Sequence, residues 1–119
     1  MDDKQLLELA AKAAGIEVFW GRPSDDQDHN KLYLKENSIM YTPKVWNPLV
    51  RDDQALRLAV KLRLDVMTDC PNSVCIEVPI GKKDNWITEN TGDDSFENVL
   101  IATRRAIVRA AAEIGRGME

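Results

Sequence analysis

Apolar positions near the start of the chain recur at spacings of three and four: Leu6, Leu9, Ala10 and Ala13, with Glu8 and Lys12 on the other side. That period predicts an amphipathic helix, and Gly15 supplies its stop. The period then drops to two. In IEVFW (16–20), Ile16, Val18 and Trp20 alternate with Glu17 and Phe19, as a strand requires. GRPSDDQDHN (21–30) has no period and contains glycine and proline, so it reads as a mobile polar loop. KLYLKE and SIMYTP follow as two strands parted near Glu36 to Ser38.

WNP (46–48) interrupts the pattern, because Pro48 restricts Asn47 to extended geometry. Asp52 or Asp53 can cap the helix that follows, along which Ala55, Leu56, Ala59, Val60 and Leu62 are expected on the covered side. A strand at about 64–68 meets VCIEVPI (74–80) through CPNS as a hairpin. In the second strand Val74, Ile76, Val78 and Ile80 share one face, and Pro79 marks an edge or an end. IGKKDNWIT leads through a turn to a short strand around Trp86. Asp94 and Glu97 have capping-box spacing for a last helix, from about Phe96 to Gly115. Its expected buried stripe is Phe96, Leu100, Thr103, Ile107, Ala110, Ala111 and Ile114.

The resulting order, α-β-β-β-α-β-β-β-α, predicts a single α+β domain over residues 1–119. A mostly antiparallel sheet carries amphipathic helices packed on it. The length is enough to close a core without disulfides or metals. Apolar residues at 44% and charged residues at 30% are ordinary for a globular protein. No apolar run nears the length of a membrane span. The acidic, amphipathic start argues against a secretory signal. A cytoplasmic setting is therefore expected.

Charge changes the picture more than composition does. The net charge is −4, but residues 51–63 hold four cations against two acids, a balance of +2. Residues 98–119 hold the same balance, whereas residues 64–97 carry two lysines against eight acids. The two basic stretches coincide with the second and third helices. Arg57 and Lys61 lie a turn apart on the margin of one, and Arg104, Arg105 and Arg109 project from the exposed side of the other, with Arg116 near its end. Several cations on one surface can hold phosphates through counterion release. A solvated face, with late arginines complementing the helix dipole and Arg109 pairing with Glu113, explains the same pattern and is favoured. No recognised nucleic-acid-binding motif accompanies them.

Other candidate chemistry is sparse. Asp25, Asp26, Asp28 and His29 stand close together, but the loop lacks the further oxygens, central glycine and terminal glutamate of an EF-hand. A zinc site would need more histidine or cysteine than the chain offers. Cys70 and Cys75 read as structural thiols, since a disulfide between a turn and a strand is geometrically unsure. Trp20, Trp46 and Trp86 supply packing area, with recognition as the alternative role because Trp and Arg concentrate binding energy. Phosphate-loop, dinucleotide and zinc-protease motifs are missing from the sequence. No catalytic residue, metal or cofactor is assigned.

Two segments, WNPLVRDDQALRLAVKL (46–62) and ATRRAIVRAAAEIG (102–115), resemble small tailed-phage and prophage proteins of unknown function, which are similar to the phage α-β-α sandwich domain family. The shared pattern is a Trp-Asn-Pro turn, a capped Ala/Leu-rich helix, a strand pair and a closing alanine-rich helix. It covers roughly residues 1–15 and 46–116. Arg51 departs from it, standing where a small polar cap residue is expected. The resemblance implies a phage origin and a three-layer sandwich, and it carries no site residues. The expectation is a non-enzymatic accessory protein that binds a host or phage protein in the host cytoplasm. The alternative is nucleic-acid binding through the basic helix faces. The candidate binding residues are Arg57, Lys61, Arg104, Arg105, Arg109 and Trp46. Apolar strand edges near Ile39 to Tyr41 could pair two copies into a homodimer.

Overall fold

The computed structural model describes residues 2–22, 24, 28–35, 44–78, 86–93 and 95–118. Helix α1, Asp3–Ala14, opens on a reciprocal cap: the Asp2 carboxylate accepts from the Gln5 N–H at 2.8 Å, and the Gln5 side chain accepts from the Asp2 N–H. Gly15 closes it in the left-handed conformation at φ 69°. The covered stripe is Leu6, Leu7, Ala10, Ala11 and Ala14, rotated from the expected one, with Leu9 and Ala13 only half-buried. The rotation arises because α1 packs along another helix and not on a sheet.

Strands β1, Val18–Trp20, and β2, Leu32–Leu34, pair antiparallel with Phe19 opposite Tyr33. Residues 44–46 run along the free edge of β2. The Leu34 N–H donates to the Lys44 carbonyl, the Trp46 N–H donates to the Leu32 carbonyl, and Tyr33 bridges Val45. The expected strand at SIMYTP, with its proposed dimer edge, and Pro23, Asp25, Asp26 and Gln27 of the polar loop lie outside the described residues.

The Trp-Asn-Pro turn is clamped from the following helix. The Gln54 amide accepts from the Asn47 N–H and donates to the Val45 carbonyl. Helix α2, Asp52–Lys61, therefore starts one residue earlier than an aspartate cap would allow. Arg51 occupies the N-cap with no side-chain capping bond, and Asp52 and Asp53 sit in the first turn, where they complement the dipole. Its buried residues are Ala55, Leu58 and Ala59; Leu56 and Val60, expected inside, are 64% and 68% exposed. Leu58 was the missed core position.

Strands β3 (Asp65–Met67), β4 (Ser73–Glu77) and β5 (Trp86–Asn90) form an antiparallel sheet in that order, with Ile76 facing both Val66 and Ile87 across the ladders. Val74 and Ile76 are fully enclosed and Val78 is buried, as their alternation predicts; Ile80 and Pro79 lie outside the described residues. Helix α3, Phe96–Arg116, is capped by Ser95, whose hydroxyl accepts from the Asn98 N–H. The expected Asp94–Glu97 capping box is corrected by this, with Asp94 itself undescribed.

The strands thus form two separate antiparallel sheets, of two and three strands, within one α+β domain. Helix α3 lies on the three-stranded sheet, and α1 and α2 pack on α3. The helix, and not the sheet, is the middle layer. That explains why Ala102, Ala106, Val108, Ala110, Ala111, Ala112 and Gly115 are buried around nearly its whole circumference. Phe96, assigned to the covered stripe by its period, is 76% exposed because it precedes the packed part of the helix.

Candidate functional site

The six candidate residues divide between three places. Arg104 belongs to packing: its side chain is 16% exposed, and its guanidinium donates to the Leu49 carbonyl at 2.8 Å and pairs with Asp52 at 2.6 Å. It ties α3 to the first turn of α2. Arg105 and Arg109, one turn apart on α3, converge on Glu89 of β5 at 3.2 and 2.7 Å. Arg105 also reaches Asp3 of α1 at 3.1 Å, and Arg109 donates to the Thr88 carbonyl. Glu89 points inward because it alternates with Thr88 on an edge strand, and two arginines neutralise it. The expected Arg109–Glu113 pair is replaced by Arg109–Glu89, while Arg116 takes Glu113 at 2.7 Å. The cleft these groups line, about 430 Å³, is internally compensated.

Arg57, Lys61 and Trp46 come together elsewhere, in a groove of about 530 Å³ between α2, the end of α1 and β2. Its apolar floor includes Ile16, Leu34, Leu58 and the buried Trp46. Arg57 and Lys61 are exposed on the rim because they fall one turn apart on the side of α2 away from Ala55 and Ala59. Lys44 completes the set from the segment beside β2. None of these three cations forms an ion pair among the described residues. Among the described residues lining the groove the one carboxylate is Asp53, which is engaged by two guanidinium nitrogens of Arg51 at 3.1 and 3.2 Å. That bond holds the Asp53 carboxyl below its ordinary range, so it stays ionised and occupied.

Lys44 and Gln54 were not among the sequence candidates. The signal for Lys44 was the two-residue alternation of Lys44-Val45-Trp46, which puts the lysine on the tryptophan's side of an extended segment. Gln54 carried no comparable signal, since its role depends on a turn seven residues earlier.

His29 is exposed, and no group of three or more histidine, cysteine or acidic side chains among the described residues is placed to hold a metal ion. No described helix is long and apolar enough to cross a membrane. Compared with known protein families, with curated proteins and with solved structures, the chain matches none.

Proposed function

We propose that the protein is a non-enzymatic binding module whose groove between α2 and β2 docks an acidic segment of a partner protein. One observation carries the reading: Lys44, Arg57 and Lys61 surround an apolar floor without described carboxylate partners, while the α3 arginines are each held by one. Unpaired cations gain from meeting an anion, whereas paired ones must first lose a partner. The volume and the mixed lining suit an apolar side chain flanked by carboxylates. Under the resemblance to phage and prophage proteins, the partner is a host or phage protein and the compartment is the host cytoplasm.

Nucleic-acid binding through Arg57, Lys61, Arg104, Arg105 and Arg109 asks for five cations on one surface. Three of those are committed to Asp52, Asp3 and Glu89. The protein-partner reading is favoured on that ground.

The test is a fluorescence-anisotropy titration with an aspartate-rich peptide containing one leucine or tryptophan, and in parallel with single- and double-stranded DNA, at low and moderate salt. The peptide is expected to bind wild type with an affinity that falls as salt rises. The triple variant Lys44→Glu, Arg57→Glu, Lys61→Glu should lose about tenfold or more, at ~0.5–1 kcal/mol for each charge. Equal peptide binding by wild type and triple variant would remove the groove from consideration. DNA binding that survived in the triple variant and was lost on changing Arg105 and Arg109 would support the nucleic-acid reading instead.

A further inference from the structure

The tip of the β3–β4 hairpin brings the two cysteines to one place. The Ser73 N–H donates to the Cys70 carbonyl, closing a four-residue turn with Pro71 second and Asn72 third at φ 52°. That turn folds Cys70 back against the start of β4. Ser73 and Cys75 are two residues apart on β4 and so share a face, opposite the enclosed Val74 and Ile76. The Cys75 sulfur lies 3.9 Å from the Ser73 hydroxyl and 3.7 Å from the Thr88 hydroxyl of β5. Both thiols are free and partly exposed, on the outer side of the sheet and away from the core.

We propose that Cys70 and Cys75 are a reversible dithiol–disulfide pair that reacts with low-molecular-weight disulfides. This proposal is independent of the groove. Cys75 is the attacking group. The Cys70 thiol and the Thr88 hydroxyl lower its pKa below that of an ordinary thiol, and Ser73 adds to this; Asp69, the charged neighbour, works in the opposite direction. Cys70 is pushed up, chiefly by serving as donor to Cys75. The asymmetry assigns an order. The Cys75 thiolate attacks one sulfur of glutathione disulfide, forming a mixed disulfide and expelling one glutathione thiolate. Cys70 then loses its proton and attacks the Cys75 sulfur, breaking the mixed bond and expelling the second glutathione. The protein dithiol is oxidised by two electrons, the small disulfide is reduced to two thiols, and the two protein protons pass to them. The sequence placed Cys70 in the CPNS turn and Cys75 in the strand; the fold adds that both stand beside Ser73.

The experiment incubates the whole protein with graded ratios of reduced to oxidised glutathione, quenches in acid, alkylates the remaining thiols and measures intact mass. Expected is a monomer lighter by two hydrogens, restored by dithiothreitol. Cys70→Ser should stop at a stable mixed disulfide on Cys75. Cys75→Ser should take up a single glutathione at Cys70 and form no internal disulfide. The pH profile of iodoacetamide labelling at Cys75 should move upward in Cys70→Ala, because the donor is gone. Wild type ending with glutathione on both thiols, with interchain dimers only, or unreacted would overturn the pair. An unmoved labelling profile would overturn the order of attack.

Discussion

A carbon added at position 115 would lie 2.0 Å from the Leu9 carbonyl oxygen and 2.8 Å from its carbonyl carbon. Both contacts are with backbone, so no side chain can turn aside, and α1 and α3 would have to separate. The close approach is possible because Ala10, Ala11 and Ala14 on one helix meet Ala-rich turns on the other. Gly115→Ala gains helix propensity of about 1 kcal/mol, yet the overpacking exceeds it. A net loss of up to about 2 kcal/mol is expected, read as a lower urea midpoint with unchanged slope. Gly117→Ala, exposed two residues on, should stay within about 0.5 kcal/mol of wild type. Equal midpoints for the two variants would mean that the helices do not touch at Gly115. In the sequence, Gly115 marked only the approximate end of the last helix; the backbone it meets, at Leu9, is more than a hundred positions away in the chain.

Among the elements, α3 shows how a terminus can be secured without the expected box. The Asp93 carboxylate accepts from the Ser95 N–H and the Asn98 amide, each at 2.9 Å, while Ser95 itself caps the helix. These bonds hold the Asp93 carboxyl below its ordinary value of 3.8. A carboxyl lowered in the folded state favours folding fully above its unfolded value, and that contribution disappears as pH falls through the lowered one. Stability is therefore expected to decline below about pH 4 in part through Asp93. In Asp93→Asn the difference from wild type should be constant near neutrality and narrow toward about pH 2. Parallel stability curves for the two proteins, measured by urea unfolding over that range, would show that the carboxylate does not contribute in this way. In the sequence the spacing of Asp94 and Glu97 signalled a cap at this end of the helix; the residue that takes the role, Ser95, stands one position further on.

At the scale of the molecule, α3 is the common neighbour. It touches α1, α2 and two strands of the larger sheet, and its arginines pair with Asp52, Asp3 and Glu89 in three different elements. The helices and the three-stranded sheet share one core through α3, and Leu32 and Trp46 join it, so unfolding should be a single transition. Far-ultraviolet circular dichroism and fluorescence from Trp20, Trp46 and Trp86 are expected to give coincident urea curves. Two separated midpoints would show that the β1–β2 unit opens independently. The same central placement engages the cations of α3 and leaves Arg57 and Lys61 of α2 exposed beside the groove.

Among the described residues, the sequence by itself determined where segments are helical or extended, because those depend on local period, on stops such as Gly15 and on breaks such as Pro48. It also determined the inward face of β4, since a period of two admits only two answers and Val74, Ile76 and Val78 exclude one of them. Helix phase was less secure: alanine and leucine fit either side of a boundary, so Leu58 was passed over while Leu56 and Val60 were placed inside. Tertiary structure alone decided that α3 lies between other layers, that the strands split into two sheets, and which arginines are held by carboxylates. A charged side chain's partner is set by distances across the fold, and residues such as Arg105 and Asp3, far apart in sequence, carry no local trace of the pairing.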